Sequence, residues 1–97
     1  MISRMANLTL ESVVARRAEP LTAPVDGELV MLDPRRSRYF GLDAIGHRIW
    51  ELLESPRSVG ALCTALQGEF DVDAESCQGD VLAFLEELEK AELVELR

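Results

Sequence analysis

Residues 28–53 constrain the fold more than any other part of the chain. Glu28 to Leu32 is a largely apolar run, Asp33-Pro34 opens a turn, and Ser37 to Phe40 resumes an extended pattern. Proline pre-sets φ at the second turn position and aspartate bonds the backbone ahead of it, so the stretch reads as a β-hairpin. Asp43 then stands where its carboxylate meets the free N–H groups of a helix beginning at Ala44. A strand presented beside helices is the arrangement an extended peptide needs in order to add to a sheet.

The remaining elements follow from spacing. Ser12 to Arg17, with Val13 and Val14, is a first strand; a loop with Pro20 and Pro24 closes near Asp26-Gly27. The hairpin supplies the second and third strands. Ile45, Ile49, Leu52 and Leu53 form one helical stripe that stops ahead of Pro56, because the residue before proline disfavours helical geometry. Ser58 caps a second helix with Val59, Leu62, Cys63, Leu66 and Phe70 on one face. Asp73 caps a third, with Glu75 in its first turn and a stripe of Cys77, Val81, Phe84, Leu85 and Leu88. Leu93 to Leu96 adds a short terminal strand. The expected fold is α+β and winged-helix-like: a three-stranded antiparallel sheet followed by three helices. At 97 residues the chain is expected to be a single domain, 1–97, with its core spanning about 10–96.

Charge narrows the function. The formal net charge is −8, yet residues 1–57 balance eight arginines against eight carboxylates, so the excess lies in residues 58–97. A groove-reading helix needs a positive face, whereas the third helix and the turn after it carry Glu75, Asp80, Glu86, Glu87, Glu89 and Glu92. Arg35, Arg36 and Arg38 at a hairpin tip supply too few phosphate contacts, so no nucleic-acid partner is expected. No apolar run approaches the ~20 residues of a membrane span and no signal-peptide segment is evident, so a cytoplasmic location without a membrane partner is expected.

Catalytic chemistry finds little support. His47 is the sole histidine and falls in the first turn of an amphipathic helix, where solvated or half-buried packing explains it. No nucleophile motif and no phosphate-cradling glycine loop is present. Cys63 and Cys77 read as small buried hydrophobes rather than zinc ligands. The expectation is a non-enzyme with no catalytic residues, metal or cofactor.

Arg38-Tyr39-Phe40-Gly41-Leu42-Asp43, followed by Arg48-Ile49-Trp50-Glu51-Leu52-Leu53, resembles the PqqD family of recognition elements for ribosomally made, post-translationally modified peptides. Phe70-Asp71-Val72-Asp73, Asp80 to Leu85 and Ala91 to Val94 resemble the family's third helix and terminal strand. The resemblance implies that the third strand, Ser37 to Gly41, is a sheet edge. A precursor leader would lie antiparallel between it and the third helix. The implied leader-binding residues are Met31, Ser37, Arg38, Tyr39, Phe40 and Gly41 on the strand side. Asp80, Val81, Phe84, Leu85 and Leu88 are implied on the helix side, where core packing is the competing reading. Alternation sends Tyr39 and Phe40 to opposite faces, so only one of them lines the groove. Asp80 can accept a hydrogen bond or a leader cation, Arg38 can pair with a leader carboxylate, and Trp50 reads as core.

Leu-Asp-x-x-Arg-x-Arg-Tyr with an acidic third helix most resembles the leader-binding proteins of lasso-peptide pathways. The implied partners are a precursor leader peptide and a leader peptidase of the transglutaminase-like cysteine-protease class. The alternatives are a PqqD-type chaperone serving a radical modifying enzyme, and a winged-helix adaptor that binds no leader.

Overall fold

Asp43, Ser58 and Asp73 each start a helix, as their side chains dictate. In the computed structural model, residues 8–17, 20–26, 28–33 and 38–97 are described. The Asp43 carboxylate accepts the Gly46 N–H at 2.8 Å to open α1 (Ala44–Leu52). The Ser58 hydroxyl accepts the Ala61 N–H at 3.1 Å to open α2 (Val59–Glu69), and Asp73 accepts the Ser76 N–H at 2.9 Å to open α3 (Ala74–Lys90). Hydrogen bonds from the Ser76 side chain and backbone hold the Asp73 carboxyl below its ordinary range.

A folded-state pKa below the unfolded value means that this cap stabilises above the unfolded pKa and fades as pH falls through the folded one. Asp73→Ala is therefore expected to lower the urea midpoint at pH 7 and to have a smaller effect at pH 3. Equal losses at both pH values would remove the charged cap from the account.

Among the described residues six strands accompany the helices: β1 (Val13–Arg16), β2 (Leu21–Val25), β3 (Glu28–Asp33), β4 (Arg38–Leu42), β5 (Arg57–Ser58) and β6 (Val94–Leu96). They form two three-stranded antiparallel sheets, ordered β2-β3-β4 and β5-β1-β6. The α+β class with three helices is as expected; the membership of the sheets is not. The segment assigned to a proline loop is β2, and β2 replaces Val13–Arg16 as the third member of the hairpin sheet. Pro24 is tolerated because β2 is an edge, where one side of the backbone needs no ladder bonds. Val25 pairs with Glu28, leaving Asp26 and Gly27 for the turn, and Asp26 takes a positive φ of 50°, which aspartate bears better than most residues. Residues 34–36 of the turn expected at Asp33–Arg36 lie outside the described residues; Asp33 and Arg38 pair at the end of the β3–β4 ladder.

The hairpin register gives the sheet two unlike faces. Leu29 pairs with Leu42 and Met31 with Phe40, and these four pack on the core side. Leu21, Leu32 and Tyr39 form a cross-strand row on the opposite side and are exposed.

A single cluster of buried side chains joins Val14, Met31 and Leu42 to Ile49, Leu62, Leu66, Leu85, Leu88, Leu93 and Val94. Cys63 and Cys77 lie in it as expected. Burial and the neighbouring Cys77 push the Cys63 thiol up to about 11, so it stays protonated and unreactive at neutral pH. Arg16 stacks on Trp50 with 4.3 Å to the ring centroid and donates to the Trp50 carbonyl, while Arg57 donates to the Leu52 carbonyl at 2.6 Å. The final turn of α1 thereby gains partners for carbonyls that have none within the helix. Arg48 forks onto Glu69 at 2.8 and 3.1 Å and ties α1 to α2.

Candidate functional site

β4 has β3 on one side and, among the described residues, no strand on the other. Its outer edge carries backbone groups that an added strand can pair with. Next to the end of that edge lies a cavity of about 360 Å³, bounded by β4, the first turns of α1 and the first half of α3.

The cavity is layered by polarity. Its depth is apolar: Leu42 from β4, Ile49 from α1, Leu66 from α2, and Cys77 and Val81 from α3 are all buried. Ile45, Val72 and Phe84 are half-buried and form the walls. Glu28, Asp43, Ser76 and Asp80 are exposed and form a polar lip.

Two glycines lie at the opening. A Cβ on Gly46 would stand 3.5 Å from the Phe84 ring and 3.4 Å from Asp43 Oδ1, so the first turn of α1 sits directly against Phe84. A Cβ on Gly41 would stand 3.8 Å from Glu28 Oε1, which places that carboxylate over the end of β4.

The residues expected to bind a leader separate into distinct environments. Gly41, Asp80, Val81 and Phe84 meet at the cavity. Met31, Leu85 and Leu88 are completely buried in the core. Phe40 packs against that core from the inner face of β4, and Tyr39 stands 73% exposed on the outer face. Neither lines the cavity. Arg38 begins β4, and Ser37 lies outside the described residues. Sequence reasoning missed the contributions of Glu28, Leu42, Asp43, Ile45, Gly46, Ile49, Leu66, Val72, Ser76 and Cys77. The apolar stripe of α1 gives no sign of this, since a groove floor and a core face share the same helical spacing.

The apolar depth and open strand edge suit an extended peptide that pairs its backbone with β4 and inserts a side chain between α1 and α3. Among the described residues no set of three or more His, Cys, Asp or Glu is placed to hold a metal ion, and no helix is long and apolar enough to cross a membrane.

Residues 28–94 match the family described as Coenzyme PQQ synthesis protein D (PqqD). Among solved structures, the chain is similar to TbiB1 in complex with the TbiA(beta) leader peptide. That likeness has 36% identity and a TM-score of 0.70, and covers 84% of this chain and 94% of the other. It is also similar to a lasso peptide synthetase B1 complexed with its leader peptide. There the identity is 24% and the TM-score 0.69 over 84% of this chain and 96% of the other, a likeness of fold. No curated protein matches the chain.

Proposed function

The chain belongs to the PqqD family, and on that premise we propose that it is a non-catalytic, cytoplasmic recognition protein for the leader of a ribosomally made precursor peptide. The leader adds to the free edge of β4 as an antiparallel strand and places an apolar side chain in the cavity beneath α3. The observation that carries this reading is the open edge of β4 beside an apolar cavity. It is supported by 36% identity to TbiB1, whose solved structure holds a leader peptide.

Backbone pairing supplies affinity that is indifferent to side chains, and the cavity supplies selection. Ordering a disordered leader offsets part of the contact energy. A Kd between about 1 μM and 1 nM, roughly −8 to −12 kcal/mol, suits such a site. Bound in this way, the leader brings its core peptide to a leader peptidase of the transglutaminase-like cysteine-protease class, which acts at a raised effective concentration. The lasso assignment is supported by the Leu32 to Tyr39 pattern, the acidic α3 and the fold shared with a lasso peptide synthetase B1. The family description favours a second reading, presentation of a precursor to a radical modifying enzyme in coenzyme PQQ synthesis.

Fluorescence anisotropy of the labelled leader encoded beside this chain tests the proposal. Saturable binding in the stated range, together with faster leader removal by the adjacent peptidase, is the expected result. A leader that stays free at protein concentrations of about 100 μM would sink leader recognition. Binding with no effect on the peptidase, but with stimulation of a radical enzyme, would transfer the protein to the second reading.

A further inference from the structure

We propose that the groove selects a leader in which a lysine or arginine lies next to the apolar residue that fills the cavity; the inference rests on the leader-binding reading above. The open edge and apolar depth define the site, and the carboxylates at its lip set the charge of what fits there. Glu28, Asp43 and Asp80 come from three separate parts of the fold and converge on the same opening, while among the described residues no Lys, Arg or His contributes to its lining. Glu28 Oε1 lies beside Gly41 at the end of β4, and Asp80 stands one turn before Phe84 on α3. Asp43 already spends Oδ1 on the Gly46 N–H, so Glu28 and Asp80 are the principal candidates to receive a cation.

Arg48, on the helix that walls the cavity, forks onto Glu69 of α2. The net charge of −8, concentrated in residues 58–97, adds a long-range field that favours approach of a cationic segment. A lysine or arginine stem can lie along the apolar wall and hold its charged head at the lip.

The acids and the cavity share one end of the sheet. Leu29 pairs with Leu42, so Glu28 and Asp43 both lie at the C-terminal end of β4, where Gly41 and Leu42 line the cavity. The cation therefore belongs next to the apolar anchor in the leader, whereas a basic residue that pairs nearer the start of β4 lies away from the acids.

The test uses the labelled leader of the adjacent precursor and versions with each basic residue replaced singly by norleucine. Each is titrated against wild-type protein and against the Glu28→Gln/Asp80→Asn double variant. With wild-type protein at about 50 mM salt, replacement of a basic residue next to the anchor is expected to weaken binding about five- to tenfold. That difference should vanish at about 500 mM salt and in the double variant, whose circular dichroism should match wild type. Equal binding of all leaders to wild-type protein overturns the inference, as does a loss that persists unchanged in the double variant. Tight binding of a parent leader without any basic residue next to its anchor does the same. If no leader binds wild-type protein, leader recognition itself fails and this inference with it.

Discussion

Leu85→Ala is expected to lower the free energy of unfolding by about 2–5 kcal/mol, the range for removing a large side chain from a site that cannot collapse around the gap. Leu85 is completely buried, and its cluster includes Leu62 and Leu66 of α2 and Leu88 of α3. A domain of this size has a total stability of about 5–15 kcal/mol, so the change removes a large share of it. Urea unfolding followed by Trp50 fluorescence measures the loss. The leader Kd, corrected for the folded fraction, should stay within about threefold of wild type, because Leu85 faces the core and does not line the cavity. A loss below about 0.5 kcal/mol, or a large change in corrected Kd, would move Leu85 out of the core account.

Phe84→Ala is expected to do the reverse. Phe84 is half-buried, forms a cavity wall and stands against Gly46 of α1. Removing its ring opens the groove and strips a peptide side chain of its largest contact. A loss of about 2 kcal/mol or more is typical of such an anchor, corresponding to about 30-fold or more in Kd. The stability loss should be smaller than for Leu85→Ala, since the ring is already partly in water. Backbone pairing gives a second signature of the same site. In an added strand alternate N–H groups point towards the partner, so single N-methylation along the leader should abolish binding at every second position. Loss at every position, or at none, would point to a docking mode other than strand addition.

The contrast between adjacent residues 84 and 85 shows where sequence reasoning stopped. Cys77, Val81, Phe84, Leu85 and Leu88 share one helical stripe, and periodicity reports only that the stripe is covered. Whether α2 or a ligand covers each position depends on how far α3 stands from β4, which is a tertiary fact. Helix starts were legible because Asp43, Ser58 and Asp73 satisfy N–H groups within three residues of themselves, a purely local requirement. The strand at Val13–Arg16 was legible as a strand, but its partners at Arg57–Ser58 and Val94–Leu96 are distant in sequence and leave no local sign. β2 was missed for a different reason. Pro20 and Pro24 suggested a loop, yet the Asp26-Gly27 pair between Leu21–Val25 and Glu28–Asp33 is a strong hairpin signal. Turn chemistry outweighed the prolines because Pro20 precedes β2 and the strand that holds Pro24 is an edge. The open side of β4 follows from pairing, and becomes visible only once β2 and β3 have taken their places.

Antiparallel pairing of β1 with β6 has a consequence for engineering. Val14 lies opposite Leu96, and the Arg97 N–H donates to the Val13 carbonyl at 2.8 Å, so the start of β1 and the end of β6 adjoin. They do so in the sheet that does not contain β4. Strand ends that meet can serve as the joints of a cassette inserted into a loop of another protein. Joined to a modifying enzyme at this seam, the recognition unit would keep the edge of β4 out of the joint, free to choose which peptide the host enzyme sees.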